Sequence, residues 1–415
     1  NPVISTSGSW VAARIVPSLE ERETSEDPSS LRNGLALFEL PSGEMEQIDG
    51  VRSFAFSADG RWLAYLRYAE EDEGTDSEAA DPEEPAGDRK PGTVLVLRNL
   101  DSQAETRISD VRAYRFDEDG GHLAYSVATA DNSRDGLYIR DLQSGTEQAV
   151  HAAPFGHYTG MTWTESGSHL AFVVATEDED GQPGHGAVFS WDGSVTSESV
   201  TEADAPEGWV IPADTDLSWS KDGERLFFGW RPLRADETED EAGEPDSEDA
   251  ETADFDAYDV DEILSDRGVD VWHWMDPRIM PQQKVQWNRE KDRTFRAVHH
   301  LGSATTVKLA DPSVPDLRLP SNASVALATS GVPYLRESTW TGGRSDAYVV
   351  DLATGERTLF AEGIDDRPSL SPNGRYAVHY EDGHYHLYDV AAGTARNVTA
   401  DLGVPIADED HDYPN

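Results

Sequence analysis

Few side chains in this chain have the type and spacing that chemistry requires. His384 and His386 alternate along one stretch and so share a strand face, as two metal ligands would. No third ligand is evident, and no metal site is expected there. His299 and His300 are adjacent, point to opposite faces of a strand, and cannot chelate jointly. Residues 70–88 hold ten carboxylates among nineteen residues, and residues 236–262 hold fifteen among twenty-seven, with no cation in either. Calcium is the functional alternative for such runs, but neither has the Asp-x-Asp-x-Asp-Gly ligand spacing. Both read as solvated loops, too polar to order themselves by burial. Trp272 and Trp274 lie on one face of an extended segment, as a binding platform if exposed or as core packing if buried. Arg336 and Glu337 either face a central channel or pair at a rim. Nucleophile and phosphate signatures are lacking: no Gly-x-Ser-x-Gly, no His-Glu-x-x-His, no Gly-x-x-x-x-Gly-Lys. With no cysteine, disulfides, thiolate zinc sites and a cysteine nucleophile are excluded. No catalytic residue and no cofactor are expected in these residues.

The elements that must position these side chains repeat. One half-unit is an alternating strand, a tight polar turn and a continuously apolar strand: Phe54-Ala55-Phe56-Ser57-Ala58-Asp59-Gly60-Arg61-Trp62-Leu63-Ala64-Tyr65. It recurs around Gly8, Gly120, Gly167, Gly223 and Gly374, with a degenerate copy at Ala323. Asp-Gly and Asn-Gly supply the positive φ that such turns need, and the apolar strand should be buried on both faces. The second half-unit reads Leu137-Tyr138-Ile139-Arg140-Asp141-Leu142 with a turn at Gly145, and its equivalents follow each first half. The turn positions are spaced by 52, 60, 47, 56, 100 and 51 residues. Four strands per period of this length predict an all-β fold, a β-propeller of seven four-stranded blades. The predicted blades are about 1–50, 51–110, 111–158, 159–213, 214–314, 315–363 and 364–400, in one domain spanning 1–415. Residues 401–415 are a linker or, with 399–400, the start of an eighth blade. The competing β-sandwich reading does not account for the aligned turns.

Charge bounds the partners. The chain has 415 residues, 33 basic and 81 acidic, a formal net charge of −48. Nucleic acid is not an expected partner, because phosphate repels such a surface. No apolar run of about 18 residues occurs, so no spanning helix is expected in a membrane. The cations comprise 5 Lys and 28 Arg. Acid excess with scarce Lys fits a salt-adapted organism, where a Debye length of about 3 Å at molar salt quiets surface repulsion. Asn1-Pro2-Val3-Ile4-Ser5 has neither an initiator Met nor an apolar leader, and the chain reads as a piece of something longer.

The Ser-x-Asp-Gly-Arg-x-Leu-Ala-Tyr turns are similar to those of TolB-type and prolyl-oligopeptidase-type propellers. Val269-Asp270-Val271-Trp272-His273-Trp274-Met275-Asp276-Pro277, Gln282-Gln283-Lys284, Arg336-Glu337-Ser338-Thr339-Trp340 and Asp408-Glu409-Asp410-His411-Asp412 more specifically resemble bacterial serine peptidases of the prolyl oligopeptidase family. That resemblance implies a propeller that precedes an α/β-hydrolase domain bearing Ser, Asp and His, and that gates and positions peptide substrates. Nothing in this sequence matches the hydrolase domain, so no catalytic residue carries over. The chain alone is not expected to be an enzyme, although its parent would be a serine peptidase. The resemblance also suggests an exported or periplasmic setting, and peptide substrate as the partner. Exopeptidase members hold a peptide amino terminus with acidic propeller residues, for which Glu337 is the candidate here. Trp272, Trp274 and Arg336 complete the candidate substrate-binding set. The rival expectation is a free-standing TolB-like propeller that binds a protein or peptide partner. A glycan-acting propeller with channel carboxylates is a third, for which no catalytic pair stands out.

Overall fold

A computed structural model of the chain describes residues 2–25, 30–69, 89–178, 180–234, 275–403 and 406. Both acidic runs, Trp272, Trp274 and the 408–412 segment lie outside the described residues.

The recurring turn is built locally. Its first residue bears an oxygen that accepts the N–H five positions on: Ser5 from Trp10 (3.1 Å), Ser57 from Trp62 (3.0 Å), Asp117 from His122 (3.0 Å), Thr164 from His169 (3.1 Å), Ser220 from Arg225 (3.0 Å) and Ser371 from Tyr376 (2.9 Å). The glycine three positions on donates to the backbone carbonyl of that same first residue in all six. Those glycines have φ between 66° and 76°, where a Cβ would be strained. The first five oxygen bearers are buried, so each turn satisfies its own polar groups in the interior. The degenerate copy has Ala323 at the glycine position.

Each turn launches a strand that is almost wholly buried, such as Leu63–Leu66, Leu123–Val127, Leu170–Val173 and Leu226–Trp230. Around these strands the chain forms consecutive antiparallel four-stranded meanders, the blade unit of β-propellers. The first is Val3–Ile4, Trp10–Ile15, Gly34–Glu39 and Glu44–Ile48. The next two form one seven-stranded ladder, because Glu105–Phe116 serves both. Its residues 105–111 pair with Thr93–Asn99 and its residues 111–116 with His122–Val127. Asp110, at φ 61°, marks the kink where the strand passes from one meander to the next. Gly156–Trp163, Leu170–Glu177, Pro183–Trp191 and Thr196–Val200 follow in order. A five-stranded sheet comes next, in which Trp209–Val210 and Ser218–Trp219 both pair with Arg225–Pro232, followed by Phe295–His300 and Thr305–Lys308. The last two meanders are Asp316–Arg318, Val325–Ser330, Ser345–Asp351 and Arg357–Ile364, then Ser369–Leu370, Tyr376–Glu381, His384–Asp389 and Thr394–Asn397.

The chain divides into two compact units: residues 1–205, 211–229 and 298–306, and residues 206–210, 230–297 and 307–415. In the first, successive sheets share apolar cores. Trp10, Leu35 and Leu37 pack with Leu63, Tyr65 and Val96, and Leu66, Leu95 and Leu97 with Leu123 and Tyr125. Leu137 and Ile139 pack with Tyr158, Leu170 and Phe172. The turns also stack: a Cβ on Gly60 would meet Ser7 N at 2.6 Å, and one on Gly120 would meet Asp59 N at 2.7 Å. In the second unit, Val325 and Val349 pack with Ala377 and Tyr388.

The turns between first and second strands hardly vary. Connections between second and third strands do, from two residues at 382–383 to the run 233–294. No helix among the described residues is long and apolar enough to cross a membrane.

Candidate functional site

In the first unit, a cleft of about 1180 Å³ opens at the strand ends opposite the glycine turns. Its wall is built from the connection that ends at Arg89–Thr93, the kink at Val111–Ala113, the start of strand Gly156–Trp163, and the end of strand Leu170–Glu177 with its loop to Gln182.

Glu177 organises it. The residue is only 4% exposed. Its N–H donates to Phe155 O (2.9 Å), and the loop after it is closed by Asp178 Oδ1 accepting Gln182 N–H (2.7 Å), with Gly181 at φ 74°. One carboxylate oxygen accepts Arg112 Nη1–H and His157 Nδ1–H (2.8 Å); the other accepts Arg89 Nε–H. An ionised carboxylate only accepts, so the His157 proton sits on Nδ1. Burial raises the pKa of Glu177, but the bonds from Arg112, Arg89 and His157 outweigh it and hold the carboxyl below the ordinary value of 4.5.

Arg89 is itself fixed from behind. Its Nη1 donates to Thr129 O (3.1 Å) and Asn132 Oδ1. Its Nη2 lies 2.8 Å from Asp135 Oδ2, at ion-pair distance but without hydrogen-bond geometry. The buried Asp135 accepts Thr129 N–H (2.8 Å) and Phe155 N–H (3.0 Å), which ties two connections together. Arg112 spans the cleft, with Nη2 donating to Lys90 O. Gly92 is required at the kink, since a Cβ there would meet Asp110 O at 2.1 Å.

Within this knot two guanidinium groups balance two carboxylates. Arg52 and Lys90 stand at the mouth, exposed, and pair with no carboxylate among the described residues. With Asp180 also on the wall, the described residues of the mouth carry one net positive charge. An adjoining cleft of about 700 Å³, which shares Pro91, Gly92 and Thr93, is lined by Arg32, Arg67, Arg107 and Asp110. Among the described residues, the two clefts together line up seven cations against three carboxylates, in a chain with 33 against 81. A cleft of this size, lined by many charged and polar groups, suits an extended polar ligand.

The described candidates from sequence are not among the residues lining this cleft. Arg336 and Glu337 are exposed, between the 3₁₀ turn Val332–Tyr334 and the short helix Ser338–Thr341, in the second unit. That connection is pinned by Tyr334 OH donating to Asp346 Oδ1 (2.6 Å), which pushes the phenol pKa up to about 12. Like the cleft loops, it joins a second strand to a third. His384 Nδ1 is 3.2 Å from Thr399 Oγ1, His386 stacks on His379 at 5.2 Å, and His299 Nδ1 is 3.0 Å from Thr306 Oγ1. Among the described residues, no three metal-ligating side chains converge. Arg89, Arg112, His157 and Glu177 were not singled out from sequence. The reversal of charge at Arg89-Lys90, directly after the acidic run, is the one sequence signal near them, and it marks Arg89 alone of the four.

No family model and no curated protein matches the chain. Solved structures similar to it include TolB from Acinetobacter baumannii, at 13% identity over 94% of this chain and 79% of that one, with a TM-score of 0.31. The β-propeller domain of the Trilobed protease from Pyrococcus furiosus is similar at 13% identity, over 97% of this chain and 99% of that one, with a TM-score of 0.37. A third is from a structural and mechanistic study of two prolyl endopeptidases, at 12% identity, over 94% of this chain and 46% of that one, with a TM-score of 0.40. The chain thus spans under half the length of this last protein.

Proposed function

We propose that this chain is the non-catalytic propeller of a serine peptidase resembling the prolyl oligopeptidase family. In this reading it admits and positions short or unfolded peptides for an α/β-hydrolase domain of the parent chain, with no cofactor. The carrying observation is the first unit's cleft, roofed by strand connections and lined by polar side chains held in place by Glu177. Trp272, Trp274, Arg336 and Glu337 belong to the proposal as further peptide contacts. A single domain of seven repeated units, 1–415, belongs to it as well.

The chain alone should release no chromophore from aminoacyl or prolyl substrates, yet bind an unstructured octapeptide in calorimetry. Turnover abolished by a serine-directed inhibitor would contradict the reading. Tight binding to a folded protein, with no peptide binding, would favour the free-standing TolB-like alternative.

A further inference from the structure

The mouth of the cleft carries more positive charge than its own ion pairs consume. Arg89 and Arg112 are consumed: Glu177 takes one bond from each, and Asp135 lies at ion-pair distance from Arg89. Arg52 and Lys90 are not, among the described residues, and against Asp180 they leave one net positive charge there. Arg112 keeps an accessible edge, its side chain being 24% exposed, and a guanidinium held rigid by a buried carboxylate is pre-organised to donate again. Lone surface cations would favour a solvated, mobile arrangement. Here two cations without a carboxylate partner among the described residues line the same cavity as a fixed one, inside a chain of net charge −48.

We propose that this cleft binds the carboxylate of a peptide ligand, with Arg52 and Lys90 pairing with its oxygens and Arg112 closing the third side. The proposal rests on the peptide reading above and names the end of the peptide that the cleft selects. A single carboxylate matches the one uncompensated charge. A phosphate group, at about −1.5 to −2, would exceed it beside Glu177 and Asp180. A charge-assisted hydrogen bond to a carboxylate oxygen is worth about tenfold to a hundredfold in affinity. At molar salt the exposed contacts at the mouth would be screened.

The test titrates the full chain by calorimetry at low and at molar salt with four probes. They are an acetylated apolar hexapeptide with a free carboxyl end, its carboxyamide twin, a carboxyamide with one internal Glu, and inorganic phosphate. The free acid should bind at least tenfold more tightly than its amide, and the difference should shrink at molar salt. The Arg52→Ala, Lys90→Ala double variant should abolish that difference, so that the acid binds no more tightly than its amide. Both side chains are exposed, and an unchanged circular dichroism spectrum confirms folding. Restored binding by the Glu-containing amide supports the carboxylate site and assigns it to acidic side chains as well as chain ends. Equal affinity of acid and amide overturns the site while the peptide reading stands. No binding of any peptide overturns both. Arg52- and Lys90-dependent binding of phosphate alone overturns the carboxylate assignment in favour of a phosphate ligand.

Discussion

At the scale of the residue, Glu177 holds three side chains of the cleft in place. Its carboxylate receives Arg89, Arg112 and His157 while almost fully buried. Removing one partner of a buried ion pair leaves a charge that nothing compensates. Glu177→Gln should therefore cost on the order of 3 kcal/mol in urea unfolding, and the cleft-lining amides should exchange faster. The acid limb carries a second expectation. The carboxyl is held below its ordinary value of 4.5 in the folded chain, so it stabilises above that value and loses its contribution as pH falls through the folded one. As pH falls below the ordinary value of 4.5, the native protein should lose stability more steeply than Glu177→Gln, and the two should converge at the acid end.

At the scale of the element, the glycine turn is what the sequence showed most clearly, because all of its logic is local. An oxygen bearer, a glycine three positions on and an apolar strand lie within about twelve residues, and six copies adopt one geometry. The copies differ in surroundings, which is testable. Gly8 has open space around it, whereas a Cβ on Gly120 would meet Asp59 N at 2.7 Å. Gly8→Ala should cost about 1 kcal/mol, for backbone strain alone, and Gly120→Ala about 2–3 kcal/mol, each read from the urea midpoint. The cleft was not legible in the same way. Arg89 and Glu177 are 88 residues apart in sequence, and strand periodicity says which face a side chain takes but not which strand ends meet. Period counting also treats residues 105–116 as the end of one unit and the start of the next. The kink at Asp110 that makes one strand serve both, and turns Arg112 toward the cleft, has no periodic signature. Arg336 and Glu337 stood out because they break the repeat. The structure places them on the same class of connection as the cleft loops, in the second unit.

At the scale of the whole molecule, charge outweighs every other feature of the composition. The runs 70–88 and 236–262 carry 25 of the 81 acids and none of the 33 bases, which leaves −23 on the rest of the chain. Self-repulsion of that size disfavours the compact state in dilute buffer and is screened at molar salt. On the proposed salt adaptation, the melting temperature should rise by several degrees between low and molar sodium chloride, with little further difference on changing the anion. A melting temperature that falls with salt would remove that proposal. Against the acidic background, the seven cations of the two adjoining clefts are the exception that the functional account rests on. Its most direct test is hydrogen exchange on the 415-residue chain with and without a saturating unstructured octapeptide. The account predicts slowed exchange at residues 89–93, 110–113, 157–159 and 177–182. Binding that leaves those amides unchanged, or no binding at all, would contradict it.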